Sequence, residues 1–228
     1  MKRHIPNAIT LLNLISGFTA LIFLTRGETL IASWLIALAM VFDFADGMAA
    51  KILKAWSETG KQLDSLADIV SFGIVPGVII YSAAGESASE WMRILFAALL
   101  PIFAAIRLAR FNAGPEQKDF FTGLPSPAAA LAVISLVLSS ENNQSFTAAF
   151  IINNDIALFA YAAVTSLLMV APLKMISLKV KNLRFRDNAN RYLLIILSVT
   201  AVIALGFGGI FWIIPFYLLI SLAKGLNL

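Results

Sequence analysis

Residues 41 to 73 read VFDFADGMAAKILKAWSETGKQLDSLADIVSFG, and in this stretch Asp43, Asp46, Asp64 and Asp68 stand beside long apolar runs in a chain otherwise poor in acid. An ionised carboxylate next to hydrocarbon is costly unless a partner compensates it. Asp43 and Asp46 are three residues apart and Asp64 and Asp68 four apart, so each pair lies on one face of a helix. If the two helices are consecutive and joined on one side of a membrane, the pairs converge. Four bare carboxylates would repel one another, and divalent cations relieve both the repulsion and the desolvation cost. The chain has no cysteine, and its one histidine, His4, lies outside the cluster. Oxygen ligands of this kind select a hard ion, Mg²⁺ or Mn²⁺, with one or two ions expected. Such a centre suits phosphate chemistry: it can bridge a diphosphate and neutralise charge on a leaving group. A carboxylate partly outside the metal shell can take a proton from an attacking hydroxyl. Asp68 is the candidate for that base, although spacing alone does not separate base from ligand.

Small and basic residues accompany the acids. Gly47 follows Asp46 directly and Gly60 stands four before Asp64. Either glycine can let a nucleotide approach the backbone; equally, Gly47 can serve helix packing and Gly60 can end a short loop. Lys51 can neutralise a phosphate or anchor the end of its helix at the membrane surface.

The elements that must hold these residues are membrane helices. Of 228 residues, 60% are apolar and 13% charged, and the mean hydropathy is +0.86, the profile of a polytopic membrane protein. The expected fold is an all-α transmembrane bundle in a single catalytic domain spanning residues 1–228. Apolar segments run over about 8–25, 30–51, 65–84, 91–111, 123–140, 155–173, 191–207 and 209–223, giving eight spans, with six as the alternative. The last two are divided by GFGG and read as one tight helical hairpin. Threading eight spans with both termini in the cytoplasm leaves only Arg26 and Arg93 outside, so 15 of the 17 Lys and Arg residues fall inside. That asymmetry supports the threading and places the acids at the cytoplasmic face of a cell-membrane protein. Deleting the final pair of spans would preserve it.

The opening MKRHIPNAIT is basic but runs into LLNLISGFTALIFLT without a cleavage pattern, so it is expected to stay in the mature chain. FTAAFII at 146–152 is expected to lie in the outer interface, and 173–191, with six basic residues, to form a cytoplasmic connector. The pI near 9.5 does not reflect nucleic-acid binding, because the basic residues follow membrane topology.

The run DFADGMAAKILKAWSETGKQLDSLAD resembles the signature of the CDP-alcohol phosphatidyltransferase family, at Asp43, Asp46, Gly47, Ala50, Lys51, Gly60, Asp64 and Asp68. All spacings agree, and the one departure is Lys51 where the family usually carries arginine. Lysine keeps the charge but loses the planar fork suited to a bidentate phosphate contact. The resemblance implies a CDP-linked lipid donor, an alcohol acceptor and release of CMP, with two divalent ions held by the four aspartates. It also implies that Asp68 is the base while contributing to the second ion, and that Gly47, Ala50 and Gly60 line the cytidine pocket.

Three further stretches, IPNAITLLNLISG near the N-terminus, RLARFN at 107–112 and FTGLPSPAAA at 121–130, resemble the phosphatidylserine synthase branch of that family. This likeness implies CDP-diacylglycerol and L-serine as substrates, eight helices and a homodimer. Arg107 and Arg110, three apart on one face, are shaped to meet a carboxylate or a phosphate; snorkelling to headgroups is the alternative. Thr10 and Asn13 can contact the nucleotide, or act as polar glue between helices. Pro125 and Pro127 start the fifth span and can orient Gly123 and Ser126 toward headgroups. Glycerol 3-phosphate or inositol phosphate is the alternative acceptor, kept open by the basic run from Lys174 to Arg191. A cation transporter is the rival of another class, but its site is expected nearer the bilayer midplane.

Overall fold

A computed structural model describes residues 4–114, 120–140, 144–176 and 185–225. Lys2, Arg3, Lys118, Lys179, Lys181 and Arg184, counted in the charge asymmetry, and the centre of the 173–191 connector lie outside the described residues. The architecture is a helical bundle: α1 His4–Thr25, α2 Thr29–Leu53, α3 Glu58–Asp68, a π-helical turn Ile69–Ile74, α4 Val75–Ala83, α5 Glu90–Ala113, α6 Ser126–Ser140, α7 Phe146–Ile152, α8 Asp155–Val170, α9 Phe185–Leu205, a 3₁₀ turn Gly206–Trp212 and α10 Ile213–Gly225. One addition to the all-helical expectation is a short antiparallel ribbon of β1 Phe120–Thr122 with β2 Lys174–Ile176, in the register Phe120 to Ile176 and Thr122 to Lys174. The ribbon closes the bundle at one end, where Tyr217 and Ser221 of α10 bond both backbone groups of Ile176.

Local chemistry sets the breaks. Gly27, at φ +77°, ends the α1–α2 turn. Lys54 adopts the left-handed conformation at φ +50° and returns its backbone N–H to the carbonyls of Ala50 and Lys51, stopping α2. Ser57 caps α3 by accepting from the Gly60 N–H at 3.0 Å, and Asn154 caps α8 from the Ala157 N–H at 3.0 Å. The helix begun by α3 continues through the π turn into α4, forming one element, Glu58–Ala83, long enough to span.

By length and apolar composition five described helices can each cross a membrane, or six when α7 and α8, bent by 97° at their junction, count as one span. The eight segments expected from sequence are all largely helical, but α6 has only 15 residues, and Asn188–Ala223 counts by length and hydropathy as one 36-residue stretch. A straight helix of that second length would reach ~54 Å, against ~30 Å of hydrocarbon. The chain instead reverses at the 3₁₀ turn: a Cβ on Gly209 would fall on the Ala201 backbone, and α10 packs back along α9.

The buried core gathers Phe72, Val75, Ile79, Leu100, Ala104, Ile134 and Leu158 from the π turn and α4, α5, α6 and α8. Outside, large apolar side chains are exposed, Phe146 at 86% and Trp91 and Ile203 at 80% each, as expected of lipid-facing surface. Small residues let backbones meet inside: a Cβ on Gly77 would lie 2.6 Å from the Ala97 carbonyl oxygen, and one on Gly73 3.2 Å from the Pro101 Cα. Within the described residues Arg26 and Arg93 lie at the bundle end opposite Lys51, Lys61, Arg107 and Arg110.

Candidate active site

The acids come from the C-terminal half of α2 and from α3, joined by a four-residue turn at the same end of the bundle. Oxygens of Asp43, Asp64 and Asp68 all lie within 4.8 Å of one another. This donor set fits a hard divalent ion: three carboxylate oxygens, drawn from two helices, one of the residues buried, with no nitrogen or sulfur donor in the group. Asp46, one turn from Asp43, is not part of that triple. It is buried, and the Thr10 hydroxyl of α1 donates to its Oδ2 at 2.5 Å while also lying 3.1 Å from the Pro6 carbonyl. Its charge still reaches Asp68, together with those of Asp43 and Asp64.

Asn13, fully buried one turn after Thr10, donates its Nδ2 to Asp68 Oδ1 at 3.2 Å. Its backbone carbonyl accepts from the Ser71 hydroxyl of the π turn at 3.1 Å. A Cβ on Gly17 would collide with Ser71, so glycine there is what allows α1 to approach the acid-bearing element so closely. Thr10 and Asn13, read from sequence as nucleotide contacts or as polar glue between helices, here join α1 to the acids themselves. The Asn13 Oδ1 is buried with no hydrogen-bond partner among the described residues.

The two glycines of the motif differ. Nothing lies within 4 Å of where a Cβ on Gly47 would stand, so helix packing does not require glycine there. On Gly60 the same atom would meet Asn7 Oδ1 and Ser57 Oγ at 2.9 Å each, which makes the Gly60 position a close approach between α1 and the capped start of α3. Ala50 is buried, whereas Lys51 is exposed at the end of α2.

Facing the acids is the C-terminal part of α5. Arg107 is half-buried, donates through Nη1 to the Ser126 hydroxyl at 3.1 Å, and lies near enough to Asp68 and Asp43 for their charges to act on it. Its Nε is buried and unpartnered among the described residues. With Arg110, Phe111, Thr122, Met169 and Val170 it lines a cavity of about 200 Å³ between α5, the ribbon and the end of α8. The arrangement thus sets a two-arginine cavity beside a three-carboxylate cluster. The sequence reading missed Ser65 and Ser71, which join α3 and the π turn to their neighbours, and Tyr217 with Ser221 on α10. A hydroxyl pair four apart in an otherwise apolar helix was the available signal for the latter.

Curated relatives share much of this chain. A CDP-diacylglycerol–serine O-phosphatidyltransferase of Mycobacterium leprae is 38% identical over 141 residues, covering 58% of this chain and 46% of the relative, so the match spans about half of that protein's own length. One of the same name from Helicobacter pylori is 29% identical over 199 residues, 86% of this chain and 80% of the relative. An archaetidylserine synthase of Methanothermobacter thermautotrophicus is 35% identical over 149 residues, 64% of this chain and 63% of the relative. The sequence profile of the CDP-alcohol phosphatidyltransferases runs from residue 3 to residue 223, through both acid pairs and nearly every helix described above, and the chain belongs to that family.

Proposed function

We propose that this protein transfers the phosphatidyl group of CDP-diacylglycerol to L-serine, forming phosphatidylserine and CMP. The observation that carries the reading is the pairing of the Asp43–Asp64–Asp68 cluster with a cavity lined by Arg107 and Arg110. The names of the mycobacterial and Helicobacter relatives support the choice of donor and acceptor.

Asp43, Asp46, Asp64 and Asp68 would hold the divalent ions, two in number, Mg²⁺ or Mn²⁺. When bound, the ions supply charge neutralisation of the diphosphate and of the departing cytidylate. Asp68 takes the proton of the serine hydroxyl, whose oxygen attacks the phosphorus on the diacylglycerol side. The bond from that phosphorus to the bridging oxygen breaks, and CMP leaves with that oxygen. Asn13 keeps the Asp68 carboxylate turned toward the site through its 3.2 Å bond. Thr10 does the same for Asp46. Gly47, with open space where a side chain would be, lets the cytidine end of the donor lie against α2. Ala50 and Gly60 flank it, and Lys51 gives the diphosphate a point charge. Arg107 and Arg110 take the serine carboxylate, and the unpartnered Arg107 Nε and Asn13 Oδ1 are polar atoms a substrate can satisfy.

In the proposed topology the chain crosses the cell membrane eight times, with both termini and the site at the cytoplasmic face. The reversal at Gly209 and the placement of Arg26 and Arg93 opposite the site support it. A homodimer completes the reading. Purified protein in detergent, given CDP-diacylglycerol and each candidate alcohol with and without divalent ions, tests the activity. CMP release with L-serine, dependent on the ion, is the expected result; release only with glycerol 3-phosphate or inositol phosphate overturns it.

A further inference from the structure

The helix that carries Asp64 and Asp68 and the helix that carries Arg107 and Arg110 meet at the site end through two polar contacts, closed into a ring by a third within α3. Lys61 Nζ donates to the Asn112 carbonyl at 3.0 Å, Asn112 Nδ2 donates to the Ser65 hydroxyl at 2.8 Å, and the Ser65 hydroxyl donates to the Lys61 carbonyl at 3.2 Å. The three residues form a closed ring. Ser65 adjoins Asp64, and Asn112 follows Arg110 by two residues.

Along the Glu58–Ala83 span, α5 packs chiefly on the π turn and α4, where Gly73 and Gly77 bring the backbones together, and far less on α3. Beyond those glycines the two helices reach the site end with the polar ring between them. Lys61 is also unfavourably placed for its own helix, in the first turns of α3 where a cation opposes the dipole. At the C-terminus of α5 the same charge is favourable, and it meets a carbonyl that has no partner within its helix.

We propose that Lys61, Ser65 and Asn112 act as a clasp that sets the distance between the metal-binding carboxylates and the acceptor-binding arginines, with Asn112 as a positioning residue for the acceptor. This rests on the function proposed above. The clasp bonds run between Lys61, Ser65 and Asn112, across the gap between α3 and the end of α5. Loosening it displaces the acceptor relative to the phosphorus, and a displacement of about 1 Å can cost up to about 10²-fold.

Because the chain has no cysteine, the clasp can be replaced by a switchable bond. Asn112→Ala and Ser65→Cys/Asn112→Cys are compared with the wild type in detergent. The readouts are acceptor KM, donor KM, the Mn²⁺ dissociation constant by electron paramagnetic resonance, and the melting temperature. The expected result is a rise of about tenfold in acceptor KM for Asn112→Ala and for the reduced double variant, with donor KM and Mn²⁺ affinity within about twofold of wild type. Oxidation of the double variant to the disulfide should return acceptor KM toward the wild-type value. An unchanged acceptor KM in Asn112→Ala overturns the proposal, as does a parallel loss in all four readouts that the disulfide does not reverse. Wild-type protein that releases no CMP with serine overturns the serine reading alone; the clasp series is then read with the acceptor the wild type does use.

Discussion

Three carboxylates within 4.8 Å of one another cannot all remain ionised and unscreened near hydrocarbon, so a cation is the natural complement of Asp43, Asp64 and Asp68. Asp64→Asn removes one negative charge and half of a carboxylate's ligating capacity at nearly constant shape. The expected outcome is a loss of at least about 10²-fold in CMP release together with weaker Mn²⁺ binding by electron paramagnetic resonance. Normal metal affinity in that variant would remove Asp64 from the ligand set. Arg107→Lys keeps a charge but loses the fork that reaches Ser126 while leaving Nε for a substrate. Acceptor KM should rise about tenfold, with donor KM nearly unchanged, and the steady-state kinetics of both substrates check it. Nothing at Lys51, exposed at the end of α2, explains why lysine stands where relatives of the motif carry arginine.

Among the helices, the glycines divide into those that permit packing and one that leaves room. Gly77→Ala places a methyl group 2.6 Å from the Ala97 carbonyl oxygen, a backbone atom that cannot swing aside. The α4–α5 contact must open, at a cost of about 1–3 kcal/mol, read as a lower melting temperature in detergent. Gly47→Ala meets nothing within 4 Å, so its melting temperature should stay at the wild-type value while the KM for CDP-diacylglycerol rises. A loss of stability in Gly47→Ala with unchanged donor KM would return that residue to a packing role. The contrast matters because the motif spacing treats Gly47 and Gly60 alike, whereas the fold sets Gly60 against Asn7 and Ser57.

For the whole molecule, the bundle has a chemical end and a distal end. At the distal end the Asp155 carboxylate ties α8 to the α4–α5 loop, accepting from the Gly85 N–H and the Ser87 hydroxyl at 2.7 Å each. The proposed threading predicts that single cysteines introduced at Ser87 and at Lys54 label from opposite sides of sealed vesicles with a membrane-impermeant maleimide. Labelling of both from one side would sink the topology.

Much of this was legible in the chain itself. Apolar runs located the membrane helices, because hydrocarbon forces the backbone to satisfy its own hydrogen bonds, but not the polar start of α3 at Glu58, which carries Gly60 and Asp64 ahead of the expected segment at 65. The spacings of Asp43 with Asp46 and of Asp64 with Asp68 placed each pair on one face, since an α-helix repeats every 3.6 residues. Contacts between helices were not legible, because they depend on which faces meet and how closely. Only the tertiary structure drew Thr10 to Asp46 and Asn13 to Asp68, and joined Lys61, Ser65 and Asn112 across two helices distant in sequence. The fold-back within 188–223 was read from GFGG at 206–209, and the structure supplies its physical reason, because a side chain at Gly209 would strike the Ala201 backbone.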